Sequence, residues 1–204
     1  MRNIALLVID VQKVYSLKHS RLKVNNVESI VENINKIIRY FENKNLPIIY
    51  IRHLHDPDGS DAGRMYDFSG KTSKIGFRKG SLEAEYIDDL IIIKGAPEII
   101  KNRFNSFFNT DLADLLNKLK INRVVIVGFM TNFCCESTAR DAHDRDYYVD
   151  FIIDATGTPG LGKLNQEQIK LASVQTLSVG YANVLKTKEF LLMCYRGQRF
   201  FDTL

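Results

Sequence analysis

One segment passes directly from an apolar strand pattern to a helical pattern, and it reads Val124-Val125-Ile126-Val127-Gly128-Phe129-Met130-Thr131-Asn132-Phe133-Cys134-Cys135-Glu136. The β-branched residues 124–127 predict a buried strand. Beyond this segment, Ala139 and Ala142 are separated by polar residues, and this spacing predicts a helix. Cys134 therefore lies between the end of a strand and the first turn of a helix.

This position suits a nucleophilic thiol. The first turn of a helix presents unpaired backbone N–H groups and the positive end of the helix dipole, and both favour the thiolate of Cys134. The same N–H groups can hold the oxyanion that forms when sulfur attacks a carbonyl carbon. The segment therefore predicts an acyl-transfer site, although two ordinary buried thiols would fit the same pattern.

The adjacent Cys135 has a different predicted environment. Cys135, Ala139 and Ala142 recur at spacings of four and three residues, which gives a stripe of small side chains suited to close packing against a sheet. Neighbouring helical positions point about 100° apart, so Cys134 lies off that stripe. We expect Cys134 to be the reactive thiol and Cys135 to be a packed one.

Apolar segments alternate with helical patterns along the whole chain. Helical periods follow Asn26 and Thr110, include the segment with Cys134, and span residues 165–179. Two apolar pieces compete for the third strand, 90–93 and 98–101, and we favour the second. The alternation predicts a single α/β domain over residues 1–204, a three-layer α/β/α arrangement with a six-stranded, mostly parallel, Rossmann-like sheet. The predicted strands are 4–10, 47–51, 98–101, 124–127, 149–153 and 182–185.

Composition excludes several classes of protein. The 204 residues are 45% hydrophobic, enough for a sizeable core, and the three cysteines do not form a disulfide framework. We expect no signal sequence ahead of the first strand, and no apolar stretch reaches the roughly 18 residues of a membrane span. The 28 basic and 24 acidic residues are interspersed. We therefore expect a cytoplasmic protein with a small-molecule substrate and with neither nucleic acid nor membrane as a partner.

Three titratable residues stand at predicted strand ends. Asp10 closes the first strand, Lys101 closes the third, and Cys134 follows the fourth. The carboxyl ends of parallel strands meet at one edge of a sheet, so these side chains are expected to share a crevice. A carboxylate would take the thiol proton, and an ammonium group would hold both anions. Turn capping by Asp10 and solvation of Lys101 remain alternatives, and Lys94 is a rival lysine.

Three segments surround the titratable residues at the strand ends. They are Leu6-Leu7-Val8-Ile9-Asp10-Val11-Gln12, Lys101-Asn102-Arg103-Phe104-Asn105-Ser106-Phe107-Phe108-Asn109-Thr110-Asp111-Leu112, and Gly128-Phe129-Met130-Thr131-Asn132-Phe133-Cys134-Cys135-Glu136-Ser137-Thr138-Ala139-Arg140-Asp141-Ala142. Together these segments resemble the three signatures of the isochorismatase-like cysteine hydrolases. The resemblance implies the family's hydrolase fold and a catalytic triad of Asp10, Lys101 and Cys134, acting on a C–N bond of an amide or carbamoyl group. It favours Lys101 over Lys94, because the residues after Lys101 have the same spacing from the lysine as in the family's signature.

The resemblance also implies a cis peptide bond between Phe129 and Met130, which would turn the Met130 N–H toward the oxyanion beside that of Cys134. Four aromatic residues are candidates for pocket walls, and a core role is an equal alternative for each: Phe104, Phe107, Phe133 and Tyr15. The candidate oxyanion and substrate-binding residues are Met130, Phe129, Thr131, Gln12, Tyr15, Phe104, Phe107 and Phe133.

A metal site is the next alternative that the resemblance raises. Nicotinamidases of this family bind a divalent ion through an Asp-x-His-x-x-His arrangement after the second strand, and this chain has Arg52-His53-Leu54-His55-Asp56-Pro57-Asp58 there, with the wrong spacing. We interpret this segment as a polar loop and expect neither metal nor other cofactor.

Other functions stay open at this point. Some isochorismatases cleave a vinyl ether and lack the cysteine, so Cys134 favours amide chemistry without excluding ether hydrolysis or a nicotinamidase activity. A catalytically silent binding protein of the same fold and a redox protein using Cys134 and Cys135 are weaker alternatives, since adjacent cysteines rarely pair. The resemblance also implies a homo-oligomer, a dimer or a tetramer. The aromatic residues Tyr195, Phe200 and Phe201 would then pack across a subunit contact or against their own domain.

Overall fold

A sheet of six strands forms the centre of the protein, in the order β3-β2-β1-β4-β5-β6. The computed structural model describes residues 3–65 and 76–196. Every pair of neighbouring strands in this sheet is parallel. The predicted fold class is therefore confirmed, including the choice of 98–101 as the third strand. The strands are β1 (Ile4–Ile9), β2 (Ile48–His53), β3 (Glu98–Lys101), β4 (Arg123–Phe129), β5 (Tyr148–Gly157) and β6 (Asn183–Leu185).

Five helices cover the two faces of the sheet and complete the three layers. Alternate residues of β1 enter different cores, because successive side chains of a strand point to opposite faces. Leu6 and Val8 pack with α1 and α5, whereas Leu7 and Ile9 pack with α2, α3 and α4. The helices are α1 (Val27–Asn43), α2 (Leu112–Lys118), α3 (Glu136–Asp144), α4 (Gln166–Gly180) and α5 (Thr187–Arg196).

Gly128 allows β4 to lie against β1 at the point where both strands end. It pairs with Ile9 and has a φ of 120°, and a Cβ atom there would collide with the Ile9 carbonyl group. Only glycine combines this left-handed φ with so close an approach. The segment that carries Cys134 consequently leaves the sheet directly beside Asp10.

Helix α5 was not predicted from the sequence. Phe190 and Cys194, four residues apart, are its buried anchors, and Phe190 packs against Phe41 of α1 with ring centroids 6.4 Å apart. In the proposed aromatic tail, Tyr195 is 70% exposed, and Phe200 and Phe201 lie outside the described residues. In residues 3–65 and 76–196, no helix has the length and apolar character needed to cross a membrane.

Candidate active site

Three side chains from separate strand ends meet in the interior of the protein. Asp10 directly follows β1, Lys101 is the last residue of β3, and Cys134 lies in a π-helical turn, Thr131–Cys135, between β4 and α3. Lys101 Nζ donates to Asp10 Oδ2 over 2.7 Å, and the Cys134 sulfur lies within 4.8 Å of an oxygen of the same carboxyl group. Their exposed fractions are 0%, 2% and 3%. The structure thus brings the three predicted residues together.

Burial and mutual charge determine the protonation of this group. Burial and the Asp10 carboxylate raise the pKa of Cys134 to about 12, although Lys101 acts in the opposite direction. Burial raises the pKa of Asp10 above its usual value, and Lys101 and the thiol offset part of that rise. Burial disfavours the charge of Lys101, but Asp10 outweighs it and raises the pKa of Lys101.

The 2.7 Å ion pair of Lys101 with Asp10 and the raised pKa of Cys134 indicate an ammonium, a carboxylate and a neutral thiol in the resting site. This corrects the expectation that the helix start would favour a thiolate at Cys134. The sulfur is fully enclosed and lies beside a carboxylate, and both effects disfavour a second negative charge.

The two oxygens of Asp10 have different surroundings. Oδ2 accepts from Lys101, whereas Oδ1 is fully buried and receives no hydrogen bond from a nitrogen or oxygen donor of the described residues. Asp10 has a φ of 50°, a left-handed conformation, and its backbone N–H donates to the Ile51 carbonyl over 2.8 Å. Oδ1 is accordingly available as a proton acceptor at the end of β1.

The expected cis peptide bond between Phe129 and Met130 is present. Two polar candidates of the predicted oxyanion and substrate-binding set, however, bind other parts of the protein. The hydroxyl of Thr131 donates to Thr156 Oγ1 over 3.0 Å. Gln12 is fully buried, with its side-chain amide bonded to the backbone of His53 and Ala84. The polar groups of Gln12 and Thr131 are therefore already engaged within the protein, and Gln12 positions the backbone of His53 and Ala84.

Three of the aromatic candidates are core residues. Tyr15 is 1% exposed and stacks on Phe129 with ring centroids 4.9 Å apart. Phe107 is buried in the opposite core, where it stacks on Tyr147. These positions favour the core alternative for Tyr15 and Phe107, and Phe129, a candidate substrate-binding residue, is packed in the same way.

Phe104 and Phe133 fit the pocket-wall prediction better. Both rings are partly exposed, and their centroids are 4.9 Å apart. They line a cleft of about 220 Å³ next to the turn that carries Cys134. The other residues of this cleft are Asn132, Glu136, Ser137 and Arg140.

A pair of histidines near the triad was missed as a feature of the site. His53 is the last residue of β2, and His53 and His55 are buried rather than part of a polar surface loop. Their Nε2 atoms are 3.0 Å apart. A ring nitrogen of His53, a carboxylate oxygen of Asp10 and the sulfur of Cys134 all lie within 4.8 Å of one another. The sequence signal for this pair was the presence of two histidines, two residues apart, at the end of a strand.

The metal site of nicotinamidases does not fit these residues. His55 belongs to no group of three ligand atoms within 4.8 Å in the described part of the chain. Its Nδ1 contacts Asp61, and the carboxylate of Asp56 pairs with Lys79 over 2.6 Å. The remaining group, Asp10, His53 and Cys134, includes a carboxylate that is already bound to Lys101. A cation there would have to compete with that ammonium group.

Known proteins share both the sequence pattern and the fold of this chain. A family model described as Isochorismatase domain matches residues 4–188. The chain belongs to the isochorismatase family. It is accordingly a hydrolase.

Relatives of this isochorismatase-family protein cover most of its length. A probable inactive nicotinamidase of Arabidopsis thaliana is 32% identical, over 86% of this chain and 92% of that protein. Nicotinamidase 3 of the same plant is 29% identical, over 87% and 82%. Ureidoacrylate amidohydrolase RutB of Cronobacter sakazakii is 27% identical, over 76% and 75%.

Solved structures share the fold over nearly the whole chain. A cysteine hydrolase from Pseudomonas syringae pv. phaseolicola has a TM-score of 0.85 and 29% identity, covering 95% of this chain and 93% of that one. A putative isochorismatase hydrolase from Oleispira antarctica has a TM-score of 0.80 and 27% identity, covering 94% and 97%.

Proposed function

We propose that this isochorismatase-family protein is a cysteine hydrolase that cleaves the C–N bond of a small amide or carbamoyl substrate through a thioester. The observation that carries the proposal is the approach of the Cys134 sulfur to within 4.8 Å of an oxygen of Asp10, whose Oδ2 accepts from Lys101 at 2.7 Å. Nucleophile, proton acceptor and fixed positive charge are the three groups that such a reaction needs. Relatives named as a nicotinamidase and an ureidoacrylate amidohydrolase support the same chemistry.

The first half of the reaction forms the thioester. Because the pKa of Cys134 is about 12, the thiol loses its proton only as sulfur attacks the carbonyl carbon, and Asp10 takes that proton. The C–S bond forms, and the carbonyl oxygen becomes an oxyanion. Asp10 then gives the proton to the substrate nitrogen, the C–N bond breaks, and ammonia or an amine departs.

The second half hydrolyses the thioester. Asp10, again a carboxylate, removes a proton from water as the water oxygen attacks the thioester carbon. The C–S bond breaks, and the sulfur regains a proton from Asp10. Lys101 stays protonated throughout, because its ammonium group is held by a buried carboxylate and balances the charge that moves between oxygen and sulfur.

A substrate panel with two cysteine variants tests this function. The panel contains nicotinamide, carbamoyl compounds, ureidoacrylate and isochorismate. Hydrolysis of an amide or carbamoyl compound by the wild type, its loss in Cys134→Ala and its retention in Cys135→Ala would support the proposal. Turnover of isochorismate alone, with Cys134→Ala still active, would favour a vinyl ether hydrolase instead.

We also propose that the protein assembles as a homo-oligomer. Several apolar side chains are exposed on the last two helices, including Val179 at 87% and Leu171 at 60%. A second copy of the chain would remove such surface from water. Light scattering that gives a dimer or tetramer mass would support the assembly, and a monomer mass at micromolar concentration would contradict it.

A further inference from the structure

A chain of three side chains runs from the triad to the polar cleft next to it. A ring nitrogen of His53 lies within 4.8 Å of an Asp10 oxygen and of the Cys134 sulfur. His53 Nε2 contacts His55 Nε2 at 3.0 Å, and His55 Nδ1 contacts Asp61 Oδ1 at 3.2 Å. Both histidines are fully enclosed, whereas the side chain of Asp61 is 19% exposed and lines a polar cleft of about 300 Å³.

The carboxylate at the outer end determines where each hydrogen lies. The backbone N–H of Asp56 and the side chain of Asn102 donate to Asp61; burial opposes its charge, but these hydrogen bonds outweigh burial and lower the pKa of Asp61. An ionised Asp61 can only accept, so His55 carries its hydrogen on Nδ1. The Nε2 of a neutral His55 is then an acceptor, and His53 must donate to it from Nε2.

Both rings are neutral at pH 7, so each carries one hydrogen: on Nδ1 in His55 and on Nε2 in His53. Burial lowers the pKa of His55, and burial together with Lys101 lowers the pKa of His53 well below its usual value. Since the single hydrogen of His53 is directed at His55, the ring can form one further hydrogen bond only by accepting at Nδ1.

The ring of His53 is also held in place. It stacks on Phe77 with centroids 4.6 Å apart and an interplanar angle of 11°. Gln12 holds the backbone of His53 at both its N–H and its carbonyl group, over 3.0 Å each. The sheet therefore fixes an imidazole, in one tautomer, next to the proposed nucleophile and base.

We propose that His53 contacts the substrate as a hydrogen-bond acceptor at Nδ1, and that His55 and Asp61 are positioning residues that fix its tautomer. This inference rests on the proposed function. Asp10 Oδ1 is buried without a described nitrogen or oxygen donor, and a ring nitrogen of His53 lies within 4.8 Å of an Asp10 oxygen and of the Cys134 sulfur. Oδ1 and the His53 nitrogen complement a group with two hydrogens: first the –NH2 of a primary amide or terminal carbamoyl group, and then the water that replaces the departing ammonia.

The tautomers can be measured without any substrate. The protein has four histidines, so ring nitrogen-15 NMR signals can be assigned with single His→Gln variants. At pH 7 we expect the hydrogen on Nδ1 in His55 and on Nε2 in His53. A hydrogen on Nδ1 of His53, or an imidazolium form of either ring, would overturn the inference even if the hydrolase function holds.

Kinetics of paired variants test the positioning role. His55→Leu removes the acceptor for His53 Nε2, and we expect kcat/KM to fall by about tenfold, the effect of one lost hydrogen bond. His55→Gln supplies a carbonyl oxygen for the same hydrogen and should recover part of that loss. His143→Gln, at an exposed site, serves as the unchanged control.

Substrate selectivity separates this inference from the proposed function. A primary amide that the wild type hydrolyses should lose its advantage over its N-methyl analogue in His53→Phe, provided that circular dichroism shows a folded protein. The inference about His53 would be contradicted if the ratio of kcat/KM for the two substrates were the same in wild type and His53→Phe, or if His55→Leu kept the wild-type kcat/KM. Neither outcome would contradict the proposed function. Absence of any amide turnover by the wild type would instead contradict the proposed function.

Discussion

The ammonium group of Lys101 lies 2.7 Å from Asp10 Oδ2, and both side chains are completely buried. These residues are 91 positions apart in the chain and come from strands that do not pair with each other. Such a buried pair costs desolvation energy, and removal of one partner leaves the other charge uncompensated. The pair lies beside Cys134, where the proposed reaction needs both a proton acceptor and a positive charge.

Replacement of Asp10 should make the thiol more acidic while it stops turnover. In Asp10→Asn the carboxylate that raises the pKa of Cys134 is gone, and the Lys101 ammonium remains to stabilise a thiolate. We expect faster alkylation of Cys134 by iodoacetamide at pH 9 than in the wild type. The comparison is best made in a Cys135→Ala background, with peptide mapping to exclude Cys194. Slower alkylation in Asp10→Asn would contradict this account of the pKa.

The pH dependence of kcat/KM follows from the same two groups. Asp10 must be ionised to accept the thiol proton, so activity rises as pH increases through its pKa. That pKa lies above the usual carboxyl value because Asp10 is buried. On the alkaline side, activity should persist until the thiol ionises near pH 12 or the protein unfolds. An acid limb at or below the ordinary aspartate value of 3.8, in protein shown to be folded, would not agree with a raised pKa.

The close approach of β4 to β1 predicts a strong effect of Gly128→Ala. Its methyl group would collide with the Ile9 carbonyl group at a φ of 120° that alanine rarely adopts. The free energy of unfolding should fall by at least about 2 kcal/mol, measured by urea denaturation. Gly180→Ala is the matched control, because no atom lies within 4 Å of its added Cβ. Equal stabilities of the two variants would show that the strands tolerate a side chain at Gly128.

Two phenylalanines should give opposite kinds of defect. Phe107 is 4% exposed, so Phe107→Ala should lower the free energy of unfolding by about 3–5 kcal/mol through the cavity that it leaves. Phe133 is partly exposed in the cleft beside Cys134, so Phe133→Ala should chiefly raise KM. Thermal unfolding and steady-state kinetics of both variants check this. A raised KM in a fully stable Phe107→Ala protein would place the binding surface elsewhere.

Much of the fold could be predicted because apolar runs and helical periods are local features of the sequence. The strand-end positions of Asp10, Lys101 and Cys134 followed from the topology that those patterns imply. Helix α5 was missed because its buried face depends on only a few apolar residues, among them Phe190 and Cys194. The register between strands is not local, and this explains why the position of His53 next to Asp10 and Cys134 could not be predicted from its spacing to His55.

The protonation state of Cys134 was the other feature that the sequence did not predict. Local reasoning placed Cys134 at a helix start and favoured a thiolate, but full burial beside Asp10 reverses the direction of the pKa shift. The choice between a pocket wall and a core role for the aromatic candidates was open in the sequence for a similar reason. Whether Tyr15 or Phe107 faces a cleft or a core depends on packing between elements that are distant in the chain.

Chemical trapping of the acyl enzyme tests the central claim most directly. An amide that the protein turns over would be mixed with it, quenched in acid within one turnover, and the protein digested for mass spectrometry. The proposed mechanism predicts the acyl group of the substrate on Cys134 and none on Cys135. Turnover without any acylated Cys134, matched by undiminished activity of Cys134→Ala, would contradict it.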